Sequence, residues 1–303
     1  MSLVPLHVLM TTDAVGGVWT YALDLAEGLS ARGVRITLAV SGPAPRPAQR
    51  RAAEQIGGLT LVEAGGTLDW LADGPRPLDQ TARALRGLAA QNGVDLVHLN
   101  SPALRGDEDW GAPVVGVCHS CVATWWDAVR GTALPEDFVW RTERLAQGYR
   151  RCDRLIAPSF AFMQTTAARY GVLPATVRNG RRPIGTRPVP RRRQVLTSGR
   201  LWDEGKNIAT LERAARRMRG RVEAAGPLEG PNGQSVHLDR IQALGALSPS
   251  DLQQRLRPAS IFCAPSLYEP FGLGVLEAAQ AGCALVLADI PTFRELWEGA
   301  ALF

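Results

Sequence analysis

Short apolar runs alternate with longer amphipathic segments along the first 180 residues of the chain. Residues 6–10 form an apolar run that predicts a strand of a parallel sheet, buried on both faces. Residues 18–30 place apolar side chains at helical spacing and residues 34–40 form a second apolar run, so the chain opens as a β–α–β unit. The same alternation predicts strands at 60–62, 95–100, 114–118, 154–157 and 176–177, and helices at 48–56, 78–91, 136–150 and 160–170.

The composition changes after residue 180. Residues 181–193 are mainly arginine, proline and glycine, with hardly any apolar side chains, which predicts a linker. The alternation then resumes, so we predict an α/β protein with two Rossmann-like domains, residues 1–180 and 194–303, facing a central ligand cleft. The second series comprises strands at 194–198, 221–224, 261–264 and 284–288, helices at 208–218, 249–256 and 274–281, and a last segment at 292–298.

The composition is that of an ordinary soluble protein, with 46% hydrophobic and 21% charged residues. No apolar run approaches the roughly 20 residues that a membrane-spanning helix needs. The first residues lack the basic start and the cleavage site of a signal peptide. We therefore expect a cytoplasmic protein.

The formal net charge is +5, and the excess consists of clustered arginines. Such clusters suit a phosphate-bearing substrate, the anionic inner face of a membrane, or nucleic acid. Aromatic side chains are not interleaved with the arginines, so nucleic acid is not expected as a partner. An arginine-rich solvated surface explains the charge equally well, and peripheral membrane association stays open.

Five cysteines are scattered along the chain, and Cys118 and Cys121 form a C-x-x-C pair. No second pair stands at the spacing of a zinc site. We therefore expect reduced thiols rather than a zinc site or a redox disulfide.

Two carboxylates flank a glycine turn near the end of the chain. Glu269 precedes the sequence Pro-Phe-Gly-Leu-Gly, and Glu277 follows it inside a predicted helix. A glycine turn that opens a helix offers backbone N–H groups and the positive end of the helix dipole, which suits a phosphate. Ionised carboxylates accept hydrogen bonds from hydroxyls, so a nucleotide sugar fits this stretch. Solvated glutamates beside an ordinary turn are the alternative for this stretch taken alone.

Three further strand ends carry candidate residues. Gly16 and Gly17 follow the first strand, and His119 follows the strand at 114–118. Arg200 and Lys206 lie between the strand at 194–198 and the next helix, where two cations could hold a diphosphate. A packed histidine and two surface charges are the alternatives.

Together these motifs resemble the retaining glycosyltransferases of the GT-B architecture, of the group 1 or family 4 type. The two-glutamate signature is Glu269 and Glu277 with Pro-Phe-Gly-Leu between them. The second-domain phosphate site is matched by residues 199–207, and the N-terminal glycine loop by Gly16 and Gly17 followed by Tyr21. Ala-Pro-Ser at 157–159 and Asn-Gly at 179–180 match two interdomain landmarks, so the resemblance covers residues 6–303.

The resemblance implies a role for each matching residue. Glu277 would bind the ribose and Glu269 the transferred sugar, while Arg200 and Lys206 would neutralise the departing diphosphate. His119 would bond a sugar hydroxyl or the reacting centre. Gly16 and Gly17 would let the backbone approach the phosphate and the acceptor, and the backbone N–H groups of Phe271, Gly272 and Leu273 would help to bind the donor.

The resemblance also implies transfer with retention from a nucleotide-diphosphate sugar, without a metal ion or a cofactor. The N-terminal domain would bind the acceptor, a sugar, a lipid-linked glycan or a small molecule, and Trp125 and Trp126 are a candidate stacking platform. Core packing is the alternative for both tryptophans. Family members normally continue with further helices beyond the counterpart of Phe303, so we expect a shortened C-terminal domain.

Two other function classes compete with this interpretation. A non-catalytic nucleotide-sugar-binding or scaffold protein is favoured only by the short second domain. A dinucleotide-dependent oxidoreductase is disfavoured because no Gly-x-Gly-x-x-Gly follows the first strand and no acidic residue ends the second, where Val40-Ser41-Gly42 stands.

Overall fold

A computed structural model of the chain describes residues 5–182, 189–230 and 233–303. The chain divides into two compact units. Unit 1 runs to Asp127 and resumes over Thr132–Gly180, and unit 2 contains Ala128–Gly131 and the chain from Arg181 onwards. Part of the predicted linker, residues 183–188, lies outside the described residues, as do residues 1–4 of the predicted first domain.

Unit 1 is built around a parallel sheet of seven strands in the order β3-β2-β1-β4-β5-β6-β7. Its elements in chain order are β1 (His7–Asp13), α1 (Gly17–Ser30), β2 (Arg35–Ser41), α2 (Pro47–Glu54), β3 (Leu59–Gly65), α3 (Pro75–Asn92), β4 (Leu96–Leu99), β5 (Val114–Val117), α4 (Val122–Val129), α5 (Glu136–Arg151), β6 (Arg154–Ala157), α6 (Phe160–Tyr170) and β7 (Ala175–Thr176).

Unit 2 is built around a parallel sheet of six strands in the order β10-β9-β8-β11-β12-β13. Its elements are β8 (Arg192–Ser198), α7 (Ile208–Ala215), β9 (Arg221–Ala225), β10 (Gln242–Gly245), α8 (Pro249–Leu256), β11 (Ala259–Ala264), α9 (Leu273–Gln280), β12 (Ala284–Leu287), α10 (Pro291–Trp297) and β13 (Ala301–Leu302).

The two sheets share one topology. Counted within each unit, the strands follow the order 3-2-1-4-5-6, with a seventh strand added in unit 1. The order reverses between β1 and β4 in unit 1 and between β8 and β11 in unit 2. In sheets of this kind the strand ends separate at the reversal and leave a crevice for a ligand. The prediction of Rossmann-like α/β structure is confirmed.

The central strands are buried on both faces, as their apolar sequence predicts. Leu9 packs into a cluster with residues of α3 and β4, whereas Val8 and Met10 pack against α1 and β2 on the opposite face. In unit 2, Leu196 and Phe262 share a cluster with α8, α9 and β12. Both sheets are therefore covered by helices on both faces, and only the strand ends remain to carry a site.

Most elements differ from the sequence prediction at one or both ends, and two strands were not predicted. β10 and β13 were not predicted, because β10 is mostly exposed and β13 has only two residues, so neither leaves an apolar pattern. Helix α7 ends at Ala215 rather than at residue 218, before a run of exposed arginines. The strand predicted at 95–100 spans only Leu96–Leu99, which places Asn100 in the loop beyond it.

Candidate functional site

Two loops of unit 2 are joined at the reversal of strand order. One follows β8 and the other follows β11, its neighbour in the sheet. The backbone N–H of Leu267 donates to the carbonyl oxygen of Gly205 at 2.8 Å, and Asn207 Nδ2 donates to the carbonyl oxygen of Pro265 at 3.1 Å. These bonds hold residues 203–207 against the loop that begins at Pro265.

The joined loops place Lys206 beside Glu269. Lys206 Nζ forms an ion pair with Glu269 Oε2, and the two side chains are 19% and 17% exposed. The 34 basic residues of the chain include a single lysine, and it is this one. An ammonium is a compact point charge, whereas a guanidinium is a planar fork. A lone lysine in an arginine-rich chain is a sequence signal that points to Lys206 independently of any motif.

Arg200 lies at the outer edge of the same loop. Its guanidinium forms an ion pair with Asp203 at 2.9 Å and lies over the ring of Trp202, and its side chain is 48% exposed. Asp203 also accepts a hydrogen bond from the backbone N–H of Gly205 at 2.9 Å, which shapes the turn that carries Lys206. Arg200 is thus anchored at one end and accessible to solvent.

Gly272 shapes the start of α9. Its φ of 91° lies in the left-handed region, and a Cβ atom there would stand 3.0 Å from Phe293 Cε1. The N-cap residue is this glycine, so it offers no side chain to cap the first N–H groups of the helix. The Phe271 side chain is buried, so among the predicted donor contacts Phe271, Gly272 and Leu273 it could offer only backbone.

Glu277 lies in the second turn of α9 and pairs with Arg181. The guanidinium and the carboxylate are 2.7 Å apart, and the side chains are only 13% and 14% exposed. Sequence reasoning placed Arg181 in the linker and missed this contact. The available signal was its position directly after the Asn179-Gly180 landmark.

The corresponding edge of unit 1 is formed by the ends of β1, β4 and β5, which are neighbours in the sheet. Asn100, just beyond β4, donates from Nδ2 to the carbonyl oxygen of Thr11 at 2.6 Å and from its backbone N–H to Thr11 Oγ1 at 3.0 Å. His119, just beyond β5, lies with Nε2 2.7 Å from Asn100 Oδ1. Helix α1 closes the cluster with Tyr21, whose ring meets the His119 ring edge-on at 4.7 Å.

The titratable groups of this cluster are held neutral. Burial, and secondly the nearby His98, lower the pKa of His119 to about 3. Burial lowers the pKa of His98 to about 4, against a hydrogen bond with Asn100 that raises it. Burial raises the pKa of Tyr21, whose hydroxyl lies 3.3 Å from His98 Nε2, to about 12. At neutral pH the cluster carries no charge and can only exchange hydrogen bonds.

The glycine loop of unit 1 is open. Gly16 precedes α1, and among the described residues no heavy atom lies within 4 Å of where its Cβ would be. As the N-cap residue, Gly16 has no side chain to cap this helix start. The backbone at Gly16 and Gly17 is therefore accessible to a ligand.

Sequence reasoning did not single out Asp69, which follows the Gly65-Gly66 turn after β3. Asp69 Oδ2 accepts a hydrogen bond from Ser101 Oγ at 2.8 Å, and Ser101 lies next to Asn100. Burial, with a smaller contribution from Asp13, raises the pKa of the Asp69 carboxyl. The sequence signal that could have identified Asp69 is an acidic residue shortly after a glycine pair that ends a strand.

The two tryptophans of the predicted stacking platform lie side by side on α4. The Trp126 ring lies 5.9 Å from Phe138 of α5, and its Nε1 donates to Thr132 Oγ1 at 3.1 Å. The Trp125 ring is 6.1 Å from that of Trp126, and both side chains are partly exposed. These contacts anchor Trp126, and an acceptor-binding role for the pair stays a prediction.

The cysteines are free thiols. Burial raises the pKa of Cys118 and of Cys152 to about 12, and that of Cys263 to about 11, so these thiols are poor nucleophiles. Within residues 5–182, 189–230 and 233–303, no group of three or more histidine, cysteine or acidic side chains is arranged to hold a metal ion. Asp107 and Asp109 stand at Asp-x-Asp spacing, and Asp107 pairs instead with Arg151.

The structure thus separates the predicted site residues into two groups. Arg200, Lys206, Glu269, Phe271, Gly272, Leu273 and Glu277 lie on the strand-end loops and the α9 helix of unit 2. Gly16, Gly17, His119, Trp125 and Trp126 belong to unit 1.

No helix in the described part of the chain is both long and apolar enough to cross a membrane.

Comparison with known families accounts for both units. The family model described as Glycosyltransferase Family 4 matches residues 15–181, and the one described as Glycosyl transferases group 1 matches residues 192–301. A phosphatidyl-myo-inositol mannosyltransferase from Mycolicibacterium smegmatis is 24% identical over 315 residues, which cover 94% of this chain and 75% of the relative. The protein of the same name from Mycobacterium tuberculosis is 24% identical over 316 residues, 94% of this chain and 77% of the relative.

Solved structures share the fold at lower identity. Sucrose-phosphate synthase from Thermosynechococcus elongatus superposes with a TM-score of 0.72 at 17% identity, over 95% of this chain and 82% of the other. A glycosyltransferase from Rickettsia africae superposes with a TM-score of 0.64 at 14% identity, over 96% of this chain and 81% of the other. These similarities confirm the GT-B fold class.

Proposed function

The chain belongs to Glycosyltransferase Family 4, and from this premise we propose that it moves a sugar from a nucleotide-diphosphate sugar to an acceptor hydroxyl. We further propose that transfer retains the anomeric configuration and needs neither a metal ion nor a cofactor. The observation that carries the proposal is the partly buried ion pair between Lys206, on the loop after β8, and Glu269, on the loop that leads from β11 to α9.

The barrier to glycosyl transfer is a separation of charge between an oxocarbenium-like sugar and a departing diphosphate. Fixed cations and a helix N-terminus aimed at the leaving oxygens stabilise that charge without reorganisation. Lys206, Arg200 and the uncapped start of α9 supply such groups within unit 2. In this proposal the diphosphate replaces Glu269 as the ion-pair partner of Lys206. The Glu269 carboxylate is then free to accept hydrogen bonds from the hydroxyls of the transferred sugar.

Glu277 has the features of a ribose ligand. Its carboxylate is largely buried and fixed by Arg181, so it can accept hydrogen bonds from two neighbouring hydroxyls without moving. A rigid carboxylate pays little entropy when it binds a diol. Phe271 and Leu273 would add backbone N–H contacts to the donor.

Unit 1 contributes uncharged groups to the proposed reaction. His119 is neutral and partly exposed, which suits a hydrogen bond with a sugar hydroxyl. Gly16 and Gly17 leave room for a ligand to approach the backbone at the start of α1. The acceptor would bind to this unit, with Trp125 and Trp126 as candidate contacts.

The relatives suggest which substrates to test first. The mycobacterial proteins are named as mannosyltransferases of phosphatidyl-myo-inositol. A mannose nucleotide as donor and a lipid-linked polyol as acceptor are therefore the first pair, followed by other sugars and by lipid-linked glycans. Peripheral attachment to an anionic membrane would bring the enzyme to such an acceptor.

Binding and turnover of the donor test the proposal together. Thermal unfolding would be measured with a panel of nucleoside diphosphates and nucleotide sugars, because a ligand that binds the folded state raises the unfolding temperature. Release of nucleoside diphosphate would then be followed with the stabilising donor, with and without EDTA. The anomeric configuration of the product, read by proton NMR, would decide between retention and inversion.

Each outcome has a distinct meaning. Donor binding with retention and with EDTA-insensitive release supports the proposal. Binding without any release, across acceptors, supports the non-catalytic nucleotide-sugar-binding alternative. Inversion, or loss of turnover in EDTA, contradicts the proposed mechanism. Arg216→Ala, which removes an exposed cation of unit 2 paired with Asp239, is the control for general loss of positive charge.

A further inference from the structure

At the strand ends of unit 1, hydrogen bonds connect the Thr11 carbonyl, the Asn100 side chain and the His119 ring. We propose that Asn100 sets the tautomer of His119, which then presents its Nδ1 lone pair to a hydroxyl of the ligand. Asn100 is a positioning residue in this account, and His119 is the group that contacts the ligand. The inference rests on the proposed function for the identity of that ligand, but its first test does not depend on turnover.

The orientation of the Asn100 amide follows from its partner on β1. A backbone carbonyl oxygen can only accept a hydrogen bond, so the group 2.6 Å from the carbonyl oxygen of Thr11 must be the amide nitrogen. A flipped amide would set two oxygens against each other in a buried site. The second bond, from the Asn100 backbone N–H to Thr11 Oγ1, fixes the residue itself.

The amide orientation decides where the imidazole carries its proton. With Nδ2 committed to Thr11, the atom that faces His119 Nε2 at 2.7 Å is the amide oxygen. An amide oxygen only accepts, so Nε2 must be the donor and carry the hydrogen. In a neutral imidazole the other nitrogen, Nδ1, is then an acceptor.

The surroundings keep His119 in this neutral form. Burial and the proximity of His98 lower its pKa to about 3. The titratable side chains that face it in the described structure are His98, beside it on β4, and Tyr21 on α1. Neither is charged at neutral pH, because the pKa of His98 falls to about 4 and that of Tyr21 rises to about 12. The edge-on contact with Tyr21 also holds the plane of the ring.

The remaining lone pair defines the ligand chemistry. Within the described residues the Asn100 contact is the only hydrogen bond of His119, and the side chain is partly exposed. An acceptor nitrogen selects a hydroxyl and repels phosphate oxygens. With so low a pKa, His119 is too weak a base to remove a proton fully, so it orients a hydroxyl of the donor sugar or of the acceptor.

Nitrogen-15 NMR of the full chain labelled with [15N]histidine tests the tautomer directly. The chain has only four histidines, and His119→Asn identifies the signals of His119. We expect His119 to be in the Nε2–H tautomer and to stay neutral between about pH 5 and pH 8. The Nδ1–H tautomer, or titration near the ordinary histidine pKa, would overturn the inference.

Asn100→Asp tests whether Asn100 controls the protonation of His119. A carboxylate facing Nε2 stabilises the imidazolium, so the pKa of His119 should rise and a titration should become visible. Asp has nearly the size of Asn, but it cannot donate the hydrogen bond to Thr11, so we expect some loss of stability. The signals of His7 and His237, which pair with Thr37 and Asp239, check that the fold is kept. An unchanged His119 titration in this variant would contradict control by Asn100.

Two substitutions of His119 connect the tautomer to the reaction. His119→Asn places an amide near the former Nδ1, where its oxygen can accept a hydroxyl, whereas His119→Gln places its amide near the former Nε2. We expect the Asn variant to retain at least several-fold more turnover than the Gln variant. The reverse ranking would contradict a ligand contact at Nδ1. If the wild-type protein shows no transfer at all, the proposed function fails, while the NMR result on the tautomer still stands.

Discussion

The two units have the same strand order, but where that order reverses unit 1 carries uncharged side chains and unit 2 carries charged ones. At this edge of unit 1, Asn100, His119 and Tyr21 form an uncharged cluster linked by hydrogen bonds and ring contacts. At the same edge of unit 2, Lys206 and Glu269 form a partly buried ion pair. One backbone topology therefore supports both a neutral and a charged site, and the loop side chains decide which.

The difference suggests a division of labour. Neutral imidazole and amide groups recognise hydroxyls and leave phosphate to other residues. A cation paired with a carboxylate can exchange that carboxylate for a diphosphate, because the carboxylate can then accept hydrogen bonds from sugar hydroxyls. Each prediction below perturbs one side of this comparison, beginning with the largest expected effect.

Lys206→Ala should abolish most transfer by removing the ammonium that would neutralise the leaving diphosphate. Loss of one such electrostatic group costs on the order of a hundredfold or more in rate. Nucleoside diphosphate release under saturating donor is the measurement. Lys206→Arg is the matched variant, and we expect it to restore only part of the rate because a planar guanidinium cannot replace a point charge in a partly buried pair. Full activity of Lys206→Ala would remove the central residue of the proposed mechanism.

Acidification should destabilise the neutral cluster of unit 1. His98 and His119 have folded-state pKa values of about 4 and about 3, below the unfolded value of 6.5. Below pH 6.5 the unfolded chain binds protons that the folded chain does not, so stability falls as the pH falls towards the folded pKa values. We expect each histidine to account for a loss on the order of 2 kcal/mol between pH 7 and pH 5, about 4 kcal/mol for the two together.

Denaturant unfolding at a series of pH values measures this loss. His119→Gln removes one of the two groups, so its stability should depend less steeply on pH than that of the wild type. Equal slopes for the two proteins in this range would show that His119 is not held neutral by the fold.

Gly272→Ala should destabilise unit 2 and disturb the start of α9. The left-handed φ of 91° and the approach to Phe293 both oppose a side chain at this position. A non-glycine residue in this conformation costs roughly 1–2 kcal/mol. Gly16→Ala is the control, since φ is −144° there and the space is open. Chemical unfolding should show a lower midpoint for Gly272→Ala alone, and equal midpoints would refute the strain argument.

Arg181→Ala should weaken donor binding by loosening Glu277. We expect about a tenfold loss of affinity, which corresponds to roughly 1.4 kcal/mol. Calorimetry with a nucleoside diphosphate and with its 2′-deoxy analogue separates the causes. If Glu277 binds ribose, the wild type should discriminate between the two ligands, and the variant should do so less. Discrimination that survives in Arg181→Ala would confine Arg181 to a structural role.

The sequence predicted the architecture well because the buried strands of parallel sheets are short and almost wholly apolar. The strand at 154–157 and the helices at 160–170 and 249–256 were predicted to the residue. The sequence did not predict β10, because its residues are mostly exposed. An edge strand is defined by its backbone partner and not by an apolar pattern.

For the site, the sequence could point to residue types at strand ends but not to their partners. The motifs led to Lys206 and Glu269 separately, and only the bonds between their two loops make them a pair. Arg181 was predicted to be a linker residue, because an arginine in a proline-rich run carries no sign of a buried carboxylate about 100 residues away. Asn100 was predicted to end a strand, and its role depends on Thr11, a residue of another strand.

The sequence alone thus determined which of the buried strands and which helices form, where the glycine turns fall and which charged residues stand beside them. Those properties follow from local periodicity and from the residue types that turns and phosphates require. The tertiary structure decided which of those residues meet, which charges are neutralised and which nitrogen of His119 carries the proton. Such properties arise from contacts between distant segments and from burial, and neither is written in the order of residues along one strand or helix.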